Sequence, residues 1–170
     1  MKKYIIQFSV ALLSLTSCMS DNINDDPNSA YTTVPETLVS YAQKELSDYM
    51  NTPNVNTNNF RLTMQYWQES TYVDESNYDF INRNVSNNIW SNNYVNVLMN
   101  LNQAKNIINN YVPTASEVAT WNKKKANQLA IIDIMMEYVY QNMVDTFGNI
   151  QYSESLQVGE PSLSKYEAAS

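Results

Sequence analysis

The spacing of hydrophobic positions changes from one part of the chain to the next. Residues 4–15 form a short, nearly continuous apolar run behind a basic start. A polar and acidic stretch that contains Pro27 follows, without any apolar period. From Leu38 onward, apolar residues recur every three or four positions, the spacing of one face of an α-helix. The pattern predicts a leader, an extended tether and a helical body.

The first amphipathic stripe predicts a helix that begins near Thr33 and ends near Met50. Its apolar residues are Leu38, Ala42, Leu46 and Tyr49. Thr33-x-x-Glu36 fits a capping box, and Pro35 suits the first turn of a helix. A second, shorter helix is predicted over Phe60 to Gln68. Residues 71–82 are polar and aromatic without helical period, so we expect irregular structure there.

The two strongest helices are predicted at 84–111 and 114–143. The stripe of the first is Val85, Ile89, Val97, Leu98, Leu101, Ala104, Ile108 and Tyr111. The stripe of the second is Val118, Trp121, Leu129, Ile132, Met136, Val139, Tyr140 and Met143. Pro113 enforces a break between them, and Thr114-x-x-Glu117 fits a second capping box. A short link between long amphipathic helices favours an antiparallel pair. Gly148 suits a left-handed cap after the last helix.

Composition supports an all-α fold and narrows the chemistry. The chain has two glycines, too few for the tight turns of a β-sandwich or barrel. It has no histidine, which removes the usual general base and the commonest zinc ligand. The sequence predicts no cofactor and no metal. The formal net charge is −7 and becomes −9 without residues 1–17, which hold two lysines and no acid. We therefore expect no binding to nucleic-acid phosphates.

The single cysteine, Cys18, ends the leader. A basic start, an apolar core and small residues before a cut site are typical of a secretory signal peptide, here residues 1–17. The apolar run is shorter than the roughly 20 residues that a membrane-spanning helix needs. Leu15-Thr16-Ser17-Cys18 resembles the lipobox of bacterial lipoproteins, in which the cysteine becomes the first mature residue and carries lipid. The resemblance predicts lipidation at Cys18. The polar stretch after it predicts a flexible tether over 18–34, and because an acidic chain repels anionic lipid, we expect attachment through the lipid at Cys18 alone. An ordinary signal with a chance cysteine is the alternative.

Aromatic residues cluster around the irregular segment. Those that we consider as candidates for ligand binding are Trp67, Tyr72, Tyr78 and Trp90. Aromatic rings stack on sugar rings, and Asn77 and Asn82 would supply hydrogen bonds to sugar hydroxyls. The alternative for Trp67 and Trp90 is packing in the core between helices.

Carboxylates lie in the same segment. They are Glu69, Asp74, Glu75 and Asp79. A glycosidase would need two of them at a defined separation, with one held as the acid. Spacing along the sequence does not place them so. Solvated surface acids are the interpretation that we favour.

Several motifs resemble SusD/RagB-type lipoproteins, in the same order along the chain. Residues 145–156, Asp-Thr-Phe-Gly-Asn-Ile-Gln-Tyr-Ser-Glu-Ser-Leu, resemble the family pattern D-x-[FYW]-G-[DN]-[IV]-P-Y-[ST]-[EQ]-A-[LF], with Gln151 in place of Pro and Ser155 in place of Ala. Asp26-Pro27-Asn28, Gln65-Tyr66-Trp67 and Pro161-x-x-x-x-Tyr166-Glu167 match further family segments.

The resemblance implies a fold of tetratricopeptide-like antiparallel helix pairs at the outer surface of the outer membrane. It also implies a non-catalytic protein that binds glycan or another nutrient and serves a SusC-type TonB-dependent transporter. Since the family is several hundred residues long, we expect 35–170 to be the N-terminal, incomplete part of the SusD-like helical domain. Two alternatives stay open at this point: a lipid-anchored glycoside hydrolase that uses carboxylates, and a truncated fragment without activity.

Overall fold

The long helices predicted from the hydrophobic stripes are present in the computed structural model, which describes residues 33–55 and 57–157. Within these residues the protein is mostly helical and contains no strand. The chain divides at Val34 into two units, and every element described here belongs to the second. The leader, Cys18, most of the tether and the motif from Pro161 to Glu167 lie outside the described residues.

Helix α1 spans Pro35–Asn51 and buries Ala42, Leu46 and Tyr49, as its stripe predicts. The predicted capping box at its start is wrong, because Val34 is the N-cap residue and no side chain caps the helix there. Glu36 instead accepts a hydrogen bond from Gln128 Nε2 at 3.2 Å. The carboxylate is thus turned toward another helix rather than back to its own first turn.

Helix α2 spans only Phe60–Thr63, so the predicted extension to Gln68 is wrong. The backbone leaves the helical conformation at Gln65, whose φ is +59°. The amides of Tyr66 and Trp67 both donate to the carbonyl of Arg61, at 2.9 and 3.2 Å, and this closes the helix in a wide turn. The following segment is irregular, as predicted, apart from a 3₁₀ turn at Glu75–Asn77.

A central helix follows in three parts. Helix α3 (Val85–Ser91) continues into a π-helical segment (Asn92–Leu98) and then into α4 (Met99–Asn110). The extent agrees with the prediction, but the π-helical turns were not predicted. Asn93 is fully buried there, and its Nδ2 donates to the carbonyl of Ile89 at 2.9 Å. The side chain thus supplies a hydrogen-bond donor to a helix carbonyl at the place where the wider π-helical turns change the usual backbone hydrogen bonds.

Helix α5 spans Val118–Phe147, and residues 111–114 before it are not helical, so the break at Pro113 is confirmed. The predicted bounds of 114–143 are shifted by four residues, and the second capping box is wrong, because Glu117 is the N-cap residue and no side chain caps the helix. The amide of Thr114 instead donates to Glu117 Oε2 at 2.9 Å in the turn before the helix. The Thr114 hydroxyl donates to the same oxygen at 2.7 Å rather than accepting from a helix amide. At the other end, Gly148 is the C-cap residue with a φ of +77°, and its amide donates to the Val144 carbonyl at 2.8 Å. A glycine at the helix end is thus confirmed, but its ψ of −130° lies outside the left-handed helical conformation that was predicted.

The predicted antiparallel packing of α5 on the central helix is confirmed by ring contacts at opposite ends. Trp90 contacts Phe147, with ring centroids 5.3 Å apart, and Tyr111 contacts Trp121 at 4.6 Å. Helix α1 packs on the central helix as well and runs in the same direction as α5. The shared core includes Ala42, Leu46, Val97, Leu98, Leu101, Ala104, Ile108, Ile132, Val139 and Met143. No helix among the described residues has the length and apolar character needed to cross a membrane.

Candidate functional site

The segment between α2 and α3 presents aromatic side chains to solvent. The exposed fractions are 77% for Tyr66, 49% for Trp67, 74% for Tyr72 and 50% for Tyr78. We call these four rings the aromatic surface. Exposed apolar patches often mark contact sites for a partner or ligand, and these four rings belong to one loop segment. Sequence reasoning singled out three of them as candidates and used Tyr66 only as part of a motif.

Left-handed backbone conformations shape this loop. Gln65, Tyr72, Tyr78 and Asn84 all have φ between +55° and +62°. Such values are uncommon for residues other than glycine and persist only when surrounding contacts hold them. One such contact is made by Tyr78, whose hydroxyl donates to the Thr63 carbonyl at 3.1 Å and accepts from Gln65 Nε2 at 3.2 Å. The loop is therefore tied to the end of α2.

Two rings of the aromatic surface lie against arginines. Arg61 Cζ lies 4.9 Å from the centroid of the Trp67 ring, and Arg83 Cζ lies 5.1 Å from that of Tyr72. Contacts of this kind are attractive through the quadrupole of the ring. Because each guanidinium is itself tied to a backbone carbonyl, Arg61 to Thr52 and Arg83 to Tyr72, both rings have a fixed support.

Trp90 lies elsewhere, so the structure does not bring all four candidates together. It is half-buried and packs against the core, with its ring centroid 4.7 Å from that of Tyr94. This agrees with the packing alternative for Trp90. The same expectation for Trp67 is wrong, because the short α2 ends before Trp67 and leaves its ring half in solvent.

The loop carboxylates are engaged in local contacts. Glu69 Oε2 accepts from the Ser76 hydroxyl at 3.4 Å, and Asp79 accepts from Asn82 Nδ2 at 3.1 Å. Glu75 is fully buried beside Arg83, which corrects its placement among solvated acids. These contacts join the carboxylates to neighbouring residues of the loop. Among the residues that the structure describes, no cluster of three or more potential ligands would hold a metal ion.

A groove that sequence reasoning missed lies between α4, α5 and the segment after Gly148. Its volume is about 730 Å³, and it is lined mainly by polar side chains such as Asn102, Lys105 and Glu137. Tyr152 stands on its wall, with its hydroxyl donating to Glu137 Oε1 at 2.8 Å. That hydrogen bond, more than burial, raises the pKa of Tyr152. Tyr152 belongs to the motif at 145–156, so the resemblance carried a signal for this region.

Asp145, in the same motif, is exposed and accepts a hydrogen bond from Gln141 Nε2 at 2.9 Å within α5.

Comparison with known protein families gives one match, which is consistent with the all-α fold. A family model, SusD-like and described as starch-binding associating with outer membrane, matches residues 27–170. The chain belongs to the SusD-like family. This family is generally a binding family without catalytic activity, and it is associated with the outer membrane. No curated protein and no solved structure matches the chain.

Proposed function

We propose that this SusD-like protein is a non-catalytic lipoprotein that binds glycan through its aromatic surface and delivers it to a SusC-type TonB-dependent transporter. The observation that carries the proposal is the exposure of Tyr66, Trp67, Tyr72 and Tyr78 in one loop of a chain from a starch-binding family. The flat apolar faces of these rings match the CH-bearing faces of sugar rings. Nearby amides and hydroxyls match the sugar hydroxyls.

A non-catalytic role is favoured over the hydrolase alternative by the state of the loop acids. Glu69, Glu75 and Asp79 each have a partner within the loop itself. A hydrolase needs a free pair of carboxylates on opposite sides of the scissile bond. Carboxylates held by neighbouring loop residues suit a structural role better than that chemistry.

Binding is tested by titrating the protein with a malto-oligosaccharide of seven glucose units in a calorimeter. We expect binding by the parent and up to about tenfold weaker binding by Tyr72→Ala, because a stacking ring contributes about 0.5–1.5 kcal/mol and 1.4 kcal/mol is tenfold in affinity. Tyr41→Ala is the matched control, since Tyr41 is a partly exposed tyrosine on α1, outside the loop. Equal affinity of the parent and Tyr72→Ala, or no binding by the parent, would contradict the proposed site.

Anchoring through Cys18 is the second part of the proposal, with residues 1–17 as signal peptide and 18–34 as tether. We expect radiolabelled palmitate to enter the parent but not Cys18→Ala, and the variant to leave the membrane fraction. Stable anchoring needs more than one acyl chain, which a lipoprotein cysteine provides. Ser20→Ala is the control. Label in the Cys18→Ala protein would contradict the assignment.

Delivery to a transporter is the third part. This part rests on the family match and on the motifs that resemble SusD/RagB-type lipoproteins, which serve such transporters. We expect the lipidated protein to co-purify from outer membranes with a TonB-dependent transporter after mild detergent extraction. The antiparallel packing of α1, the central helix and α5 supports the tetratricopeptide-like pairing that the family resemblance implies.

A further inference from the structure

We propose that Glu75 and Arg83 are positioning residues, which hold Tyr72 as a sugar-stacking platform. The effect on binding rests on the proposed function. The effect on the loop does not, because the contacts concerned are made without ligand. Neither residue is assigned a role by the family description.

Glu75 is an unusual residue for a surface loop, since its side chain is 0% exposed. Its Oε1 lies 3.1 Å from Arg83 Nε. Neither carboxylate oxygen has a hydrogen-bond donor in good geometry among the described residues. Burying a carboxylate costs free energy unless a positive charge lies beside it. Removing the partner of a buried carboxylate therefore destabilises a protein more than breaking an exposed ion pair does. Arg83 is therefore held tightly in place.

Arg83 transmits that constraint to Tyr72 in two ways. Its Nη2 donates to the Tyr72 carbonyl at 3.1 Å, which fixes the backbone where φ is +59°. Its guanidinium carbon also lies 5.1 Å from the centroid of the Tyr72 ring. Asp74 adds a longer contact to Arg83 Nε at 3.9 Å. The Arg83 guanidinium thus contacts the buried Glu75 carboxylate and both the backbone carbonyl and the exposed ring of Tyr72.

The consequence is a preorganised ring. Tyr72 remains 74% exposed although Arg83 lies against it, so a large part of the side chain faces solvent. A ligand that stacks there does not have to order the loop first, and this saving in conformational entropy increases affinity. Without the Glu75–Arg83 pair, the left-handed conformation at Tyr72 would lose its support.

The first test needs no ligand. We expect amide hydrogen exchange over residues 71–84 to be faster in Glu75→Gln and in Arg83→Lys than in the parent, with exchange in the middle of α5 unchanged. Lysine keeps the charge but lacks the planar fork that reaches both Glu75 and the Tyr72 carbonyl. Asp133→Asn is the matched control, because it breaks an exposed ion pair outside the loop, between Lys105 on α4 and Asp133 on α5. Parent-like exchange in both loop variants would overturn the proposal.

The second test is a double-mutant cycle with the same seven-unit malto-oligosaccharide. We expect Glu75→Gln and Arg83→Lys each to weaken binding about tenfold in the parent, and to have little further effect in Tyr72→Ala. A general structural defect would weaken binding in both backgrounds, and that result would overturn a positioning role. If Tyr72→Ala alone weakens binding, the proposed function stands and the positioning role fails. If the parent does not bind, the proposed function fails, and hydrogen exchange decides whether the pair holds Tyr72.

Discussion

Two tryptophans show how the same residue type takes opposite roles in this protein. Trp67 follows the early end of α2, and its ring lies half in solvent against Arg61. Trp90 lies on α3, where the helix turns it against Tyr94 and Phe147. The difference arises from the backbone that precedes each ring rather than from the ring itself. Trp90 therefore packs against the core, whereas Trp67 belongs to the surface that we propose binds ligand.

Truncating each tryptophan should separate these roles. We expect Trp90→Ala to lower the free energy of unfolding by about 3 kcal/mol, the lower end for a large aromatic residue, because Trp90 is only half-buried. Trp67→Ala should change stability by less than about 1 kcal/mol and weaken oligosaccharide binding. Denaturant unfolding and calorimetric titration of both variants check this. A large loss of stability in Trp67→Ala would place that ring in the core after all.

At the scale of elements, periodicity predicts most helices but not the interruptions. The stripes locate α1, the central helix and α5, because a buried helix face carries an apolar residue at every turn. The early end of α2 before Gln65 and the π-helical turns around Asn93 do not change this spacing of apolar residues. The candidate loop is similar: the sequence indicates exposed aromatics, but Arg83 meets Glu75 and Tyr72 through contacts 8 and 11 residues apart. Spacing alone does not predict contacts that depend on backbone strain.

The end of α5 offers a test of one such backbone requirement. Gly148 has φ +77° and ψ −130°, and a Cβ built there would meet no atom within 4 Å. A substitution therefore costs only backbone strain, and we expect Gly148→Ala to destabilise the protein by about 1–3 kcal/mol. Denaturant unfolding measures the loss, with the exposed neighbour in Asn149→Ala as control. Parent-like stability of Gly148→Ala would show that the helix end adapts without the glycine.

At the scale of the whole molecule, buried tyrosine hydroxyls link separate elements. Tyr49 on α1 donates to Asn142 on α5 at 3.4 Å, and Tyr140 on α5 lies 2.8 Å from the hydroxyl of Ser155 in the following segment. Burial is the main cause that raises the pKa of both tyrosines above the ordinary value of 10.0. The folded protein therefore favours the neutral form of both tyrosine side chains.

We expect the protein to lose stability as pH rises above about 10, because the two buried phenols then ionise more readily in the unfolded chain than in the folded one. Below the ordinary tyrosine pKa both states are protonated and this contribution is fully present. As pH passes through the raised folded-state pKa values, the contribution is lost.

Denaturant unfolding at pH 8 and at intervals up to pH 11 measures this loss. The double variant Tyr49→Phe/Tyr140→Phe should lose less unfolding free energy than the parent over the same pH interval, when each protein is compared with its own value at pH 8. An equal loss in the parent and the double variant would show that these two hydroxyls do not govern the alkaline limit of the fold.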